Sequence, residues 1–356
     1  MIEFRGVTKR FPDGTVAVDG LDLTVDAGKV TVFVGPSGCG KTTSLRMINR
    51  MIAPTEGTVT VDGRDVMSGD AAELRRGIGY VIQQAGLFPH KTIRDNIATV
   101  PLLLGWSRRK ARARADELME VVGLAPEMAS RYPAQLSGGQ QQRVGVARAL
   151  AADPPVLLMD EPFSAVDPVV RESLQEELLR LQGELGKTIV FVTHDIDEAV
   201  KLGDKVAVFR TGGVLAQYDE PGVLLDRPAD GFVDGFVGRD RGYRKLGFLS
   251  DELPLVELPT VGVGDPAPEG WSLVVDPDGR PLGWVQGGGS VEEAAVVPGG
   301  SLYEVGSGSL RSALDAALSS PSGRGVAVDG DGRVAGALSA DDVLRALAAS
   351  RADEAA

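Results

Sequence analysis

The sequence predicts an α/β protein built on a largely parallel sheet, followed by a smaller α+β domain. Short runs of apolar, β-branched residues at 30–34, 156–159 and 188–192 read as strands buried on both faces. Helical spacing fills the stretches between them, so the order strand, helix, strand recurs and the sheet should be covered on both sides. Near residue 239 the composition shifts. From Arg239 onward the chain carries 10 basic and 18 acidic residues and is broken by Gly and Pro clusters.

The elements follow in order. Residues 1–34 read as strands, with partial alternation over 15–25. A glycine-rich turn leads into a helix over 41–51. Residues 58–62 form a strand ending in an Asp62-Gly63 turn. Residues 88–150 are mostly helical, with a charged amphipathic helix at 108–120 that Gly123 stops. In the last third, strands are expected at 272–275 and 325–328 and helices at 310–318 and 340–347. The expected division is 1–238 for the large domain, 239–258 for a linker, 259–350 for the small domain and 351–356 for a frayed tail.

The chain has 356 residues, enough for these two domains. Its apolar share of 43% and charged share of 24% are ordinary globular values. A net charge of −13 argues against a basic nucleic-acid face and against attraction to anionic lipid by the chain as a whole. A single cysteine, Cys39, excludes an internal disulfide framework and fits a reducing compartment. No apolar run approaches the ~20 residues of a bilayer-spanning helix, and no apolar signal core follows the first residues. A cytoplasmic location is therefore expected, with any membrane work done through a partner.

Gly35, Pro36, Ser37, Gly38, Cys39, Gly40, Lys41 and Thr42 match G-x-x-x-x-G-K-[ST], between a strand and a helix. Glycines let successive N–H groups turn inward toward phosphate oxygens, and the following helix adds the positive end of its dipole. Lys41 would place a point charge on the β- and γ-phosphates, and the Thr42 hydroxyl would face Mg2+. The run 156–159 ends in Asp160 and Glu161, at the strand end where open α/β sheets bind ligands. Asp160 suits Mg2+ through water. Glu161 suits the proton or the orientation of an attacking water. Cys39 is either a small filler or, at a helix start, a thiol of lowered pKa. In the second case alkylation should block hydrolysis and ATP should protect.

Leu136-Ser137-Gly138-Gly139-Gln140 lies between these two motifs. It resembles the signature of ATP-binding cassette (ABC) proteins, and further family elements follow within 1–238. Gln83 resembles the Q-loop glutamine, Ser164-Ala-Val-Asp167 the D-loop, and His194 the switch histidine. Phe11 stands where the family places an aromatic that stacks on adenine. The resemblance implies an ABC-type P-loop ATPase fold with a helical signature subdomain, using ATP and Mg2+. It implies ATP contacts from Phe11 and residues 35–43, Thr43 included, and Mg2+ contacts from Thr42, Gln83 and Asp160. Catalysis would fall to Lys41, Gln83, Glu161 and His194. Ser137 is a good N-cap, and Gly138 and Gly139 leave the next helix's first N–H groups uncovered. In the family that second cradle, with Gln140 and Asp167, serves the ATP of the opposite subunit, so a head-to-tail homodimer is implied.

The run from Gly79 to Trp106, and residues 235–242, resemble the ATPases of glycine betaine/carnitine/choline importers. Such a subunit works with two membrane permease subunits and, indirectly, an extracytoplasmic solute-binding protein, at the cytoplasmic face of the membrane. His90 is then either a coupling residue facing the permease or a plain loop residue. Residues 336–343 resemble the end of a CBS (cystathionine-β-synthase-like) module, with a degenerate earlier copy near 259–300 and the second at about 301–350. Ser339 and Asp342 could hold a ribose or simply cap a helix. Another solute importer, for amino acids or polyamines, and a soluble CBS-regulated ABC ATPase remain as alternatives.

Overall fold

A computed structural model describes every residue except Gln84, Ala85, Ala165, Arg239, Asp251, 292–295 and 355–356, with the side chains of 169–170 and 350–354 also outside the description. The chain divides into two compact units, Met1–Gly238 and Arg239–Ala356.

The first unit runs β1 (Ile2–Arg10), β2 (Val16–Val25), β3 (Val30–Val34), α1 (Lys41–Ile48), β4 (Glu56–Val61), β5 (Arg64–Asp65), α2 (Ala71–Arg76), β6 (Ile78–Val81). Then come α3 (Ile93–Ile97), α4 (Thr99–Leu103), α5 (Arg108–Val121), α6 (Gly138–Leu150), β7 (Val156–Asp160), α7 (Pro168–Leu185) and β8 (Thr188–Val192). The unit closes with α8 (Ile196–Leu202), β9 (Lys205–Arg210), β10 (Val214–Asp219), α9 (Pro221–Asp226) and α10 (Gly231–Val237).

Its central sheet has the order β10-β9-β3-β8-β7-β6. All neighbours are parallel except the edge strand β10. All five residues of β3, β7 and β8 are buried, as strands covered on both faces require. One face carries a core with α5, α6, α7 and α8. The other is covered by α1 and by a separate antiparallel sheet, order β2-β1-β4-β5. The sequence showed these strands but not that they form a layer of their own, because pairing partners distant in the chain leave no local signal.

The second unit begins with α11 (Arg241–Lys245) and continues through β11 (Thr260–Val261), β12 (Pro266–Ala267), β13 (Trp271–Val275), β14 (Pro281–Gln286) and β15 (Gly289–Ser290). It ends with β16 (Leu302–Glu304), α12 (Leu310–Ser319), β17 (Gly325–Val328), β18 (Val334–Leu338) and α13 (Ala340–Glu354). Two three-stranded sheets repeat one plan: β11 runs parallel to β13 and β13 antiparallel to β14, as β16 does to β17 and β17 to β18. The turns repeat atom for atom. The Asp276 carboxylate accepts from the N–H groups of Asp278 and Arg280, and Asp329 accepts from those of Asp331 and Arg333. Among the described residues only the second sheet packs on helices, α12 and α13. The first is covered instead by the short β12–β15 ribbon, through Ala267 and Val291. Between the sheets Leu273 and Trp284 meet Val326 and Val328.

Within the stretch 239–258, expected as a linker, several leucines pack in this unit's core. Leu246 is buried with Tyr303 and Leu310, Leu255 packs against the same cluster, and Val256 pairs with Ala337. Leucines spaced for a helix turn and a strand, rather than a polar run, are the physical reason. The expected frayed tail likewise supplies the last described turn of α13.

Candidate functional site

Four adjacent strands deliver the site. The loops after β3, β8, β7 and β6 carry the glycine turn, His194, Glu161 and Gln83, and sheet order alone makes them neighbours. The glycine turn needs its glycines. Gly40 caps α1 in the left-handed region at φ 93°, and a Cβ there would lie 2.1 Å from the Ala17 carbonyl oxygen. At Gly35, φ 150°, a Cβ would lie 2.2 Å from the Phe209 carbonyl oxygen. Lys41 is buried, and its ammonium donates to the Gly35 and Pro36 carbonyls at 2.7 and 3.0 Å. Gly38 has open space beside it, and Ser37 and Gly38 are exposed.

Asp160 ends β7 with its carboxylate buried and held on three sides. Oδ1 accepts from the Thr42 hydroxyl at 2.7 Å, and Oδ2 accepts from Arg46 Nη2 and the Tyr80 hydroxyl, each at 3.3 Å. Next in the chain, Glu161 takes a left-handed backbone at φ 45°. Its N–H donates to the Val192 carbonyl at 3.0 Å, which pins the bend against β8. A non-glycine residue there costs roughly 1–2 kcal/mol, so the surrounding loops must hold it. The bend aims Glu161 at His194, 3.3 Å from Nδ1, and at Gln83, whose Nε2 donates to Oε2 at 3.4 Å.

Phe11 is half-buried at the end of β1, with Lys9 Nζ 5.2 Å from its ring centroid. Its N–H bonds the Thr15 carbonyl, so the turn leads into the start of β2, which abuts Gly40 through Ala17. Thr43 lies in the first turn of α1.

Ser137, Gly138, Gly139 and Gln140 lie elsewhere. They line an open concavity together with Arg143, Val166 and Asp167, and no residue of the glycine turn is part of it. Ser137 caps α6: its Oγ accepts from Gln140 N at 3.3 Å while Gln140 Oε1 accepts from Ser137 N at 3.0 Å. Two separate clusters thus lie on one chain, Lys41, Asp160, Glu161 and His194 in one and Ser137 to Gln140 with Asp167 in the other. In the stretch resembling the D-loop, Ala165 lies outside the described residues.

At two positions the sequence left alternatives open. Cys39 is fully buried, and burial pushes its thiol pKa up despite the neighbouring Lys41. It is the filler, not an activated thiolate. Ser339 and Asp342 hold each other: Asp342 Oδ2 accepts from the Ser339 hydroxyl at 2.7 Å and from its N–H at 2.9 Å, while Oδ1 takes Arg345 at 2.7 Å. Both carboxylate oxygens are committed, which is the capping arrangement. Sequence reasoning also passed over Arg46 and Tyr80. A tyrosine three residues before Gln83, and an arginine on the helix that follows the glycine turn, were the available signals.

The ABC transporter family profile matches residues 18–164. The carnitine transport ATP-binding protein OpuCA of Listeria monocytogenes is 55% identical over 241 residues, 68% of this chain and 60% of that protein. The osmoprotectant import ATP-binding protein OsmV of Salmonella typhimurium is 48% identical over 306 residues, covering 80% of this chain and 79% of the relative. A dimeric post-hydrolysis structure of the ATP-binding cassette MJ0796, bound to ADP and Pi, superposes with a TM-score of 0.57 at 36% identity, over 62% of this chain and 99% of that one. The chain belongs to the ABC transporter family. Within it, the glycine betaine uptake system protein YehX of Escherichia coli is 51% identical over 251 residues, 70% of this chain and 81% of its own. The chain spans about 60% of the length of the Listeria carnitine proteins it matches.

Proposed function

We propose that this chain is the ATP-hydrolysing subunit of an ABC importer that energises uptake of a quaternary ammonium osmoprotectant. The observation that carries the hydrolytic part is the convergence of Gln83, Glu161 and His194 beside the glycine turn. The names of the relatives support the substrate class.

In this reading Lys41 leaves the Gly35 and Pro36 carbonyls for the β- and γ-phosphates, and the N–H groups of residues 35–43 cradle them. Phe11 stacks on adenine. A hydroxyl and a carboxylate, Thr42 and Asp160, are hard oxygen donors that fit Mg2+, and Gln83, bonded to the adjacent Glu161, would join them. Among the described residues no group of three or more His, Cys, Asp or Glu side chains could hold a metal, so phosphate and water must complete the shell. Mg2+ bound there would neutralise charge building on the phosphates. Glu161 takes the proton of the attacking water, Gln83 orients it, and His194 steadies both the carboxylate and the γ-phosphate.

One chain offers both a phosphate cradle and a distant capped helix start. That pairing supports a head-to-tail homodimer in which Ser137, Gly138, Gly139, Gln140 and Asp167 close over the other subunit's nucleotide. Closure by ATP and opening after hydrolysis would follow from differential affinity for ATP and ADP. Among the described residues no helix is long and apolar enough to cross a membrane, so two permease subunits would carry the solute and place this subunit at the cytoplasmic face. The segment after Gln83, with Phe88 and His90 exposed, is the proposed permease contact. The repeated sheets of the second unit support a CBS-like regulatory module whose first copy has no helix among its described residues.

The test is co-purification with its permease pair in vesicles holding the binding protein. Glycine betaine, carnitine or choline should stimulate ATP hydrolysis and enter the lumen. Stimulation by spermidine or an amino acid alone would replace the substrate reading.

A further inference from the structure

A buried carboxylate that the proposed chemistry does not use sits behind the site. Glu198, in the first turn of α8, is only 8% exposed, and its Oε1 accepts from Gln175 Nε2 at 3.0 Å; Gln175, on α7, is 7% exposed. Thr193, Arg171 and Asp195 line one small cavity with the same carboxylate. Thr193 immediately precedes His194, and its oxygen also accepts the Asp195 N–H at 3.0 Å. On the other side, Arg171 donates from Nη2 to the Val166 carbonyl at 3.2 Å, and its N–H bonds the Asp167 carbonyl at 2.8 Å. A small cavity lined by Glu161, Ser164, Arg171, Thr193, His194 and Glu198 separates this cluster from the proposed base.

An ionisable group held in this setting is costly. An apolar side chain of similar size would fill the space without the desolvation penalty. What the carboxylate does instead is join two loops. Through its bond to Gln175 it ties α8, and with it the His194 loop that leads into α8, to α7. Through Arg171 the same helix grips the loop that ends in Asp167.

We propose that Glu198 is a positioning residue that, through Gln175 and the α7 helix that also carries Arg171, keeps the His194 loop in register with the Asp167 loop. A shift at one loop is thereby transmitted to the other. This rests on the reading that His194 and Asp167 face nucleotide in different half-sites. It makes Glu198 the place where the two half-sites of one chain are mechanically tied.

The test uses the full chain. Glu198→Ala should lower kcat for ATP about tenfold or more while KM for ATP stays within about twofold, because the ground-state phosphate cradle is untouched. Glu198→Gln, which keeps an acceptor oxygen for Gln175, should recover most of the rate. In a Glu161→Gln background, adding Glu198→Ala should weaken the dimer that Mg-ATP induces, read by gel filtration. Should Glu198→Ala fail to fold, Gln175→Leu removes the amide and fills its space, and should show the same loss of kcat. Parental kcat in Glu198→Ala or in Gln175→Leu, or an undiminished Mg-ATP dimer in the double variant, overturns the proposal. If Glu161→Gln alone proves fully active, the site reading fails instead.

Discussion

Glu161→Gln isolates the proposed base better than any other change. The side chains have the same size, and the left-handed backbone at φ 45° is equally strained for both, so the fold should hardly register the swap. A glutamine oxygen can still accept from Gln83 at 3.4 Å and lie near His194 at 3.3 Å. What disappears is the capacity to take a proton. A positioned general base contributes roughly 10²–10⁴-fold, which at about 1.4 kcal/mol per decade is about 3–5 kcal/mol of barrier. Steady-state phosphate release at saturating Mg-ATP should fall by that factor, while the melting temperature and ATP binding stay near the parental values. A variant that keeps more than about a tenth of the parental rate lies outside that range and would refute Glu161 as the base.

Other expectations follow from the same geometry. Gly40→Ala must place a Cβ 2.1 Å from the Ala17 carbonyl at φ 93°; backbone strain alone costs roughly 1–2 kcal/mol, so melting should drop and ATP binding be lost, and an unchanged melting curve would contradict the loop geometry. Cys39, buried with its thiol pKa raised, should resist maleimide in the folded protein and react on addition of urea; rapid labelling of folded protein, followed by mass, would show the loop open. The Ser339 hydroxyl and N–H hold the Asp342 carboxyl below its usual value. Its stabilisation is therefore present above an unfolded value of about 3.9 and is lost as pH falls through the lower, folded pKa. Asp342→Asn should weaken the second unit at neutral pH and flatten this acid-side loss, read by tryptophan fluorescence in urea from pH 7 to pH 3.

Much of this was legible because the relevant constraints are local. Gly35 and Gly40 have no room for side chains, so the glycine turn is written in consecutive residues. The all-buried strands β3, β7 and β8 announce themselves as apolar runs, and Asp160, Glu161 and His194 stand directly at their ends. What stayed hidden depends on partners far away in sequence. The burial of Cys39 is set by packing that no local pattern displays. Leu246 and Leu255 look like linker residues until a helix more than fifty positions later lies beside them. Glu198 and Gln175 read as ordinary helical polar residues, and only the packing of α7 against α8 turns them inward. The matching Val-Asp-x-Asp-Gly-Arg turns at 275–280 and 328–333, by contrast, are a local signal that the sequence reading passed over.

Those twin turns give the second unit an internal control. Gly279 and Gly332 occupy the same backbone position, at φ 82° and 77°, yet among the described residues only one hairpin belongs to a sheet backed by helices. The same replacement made at each would meet identical torsional demands under different roofing, so the difference between the two outcomes would measure the support that α12 and α13 lend.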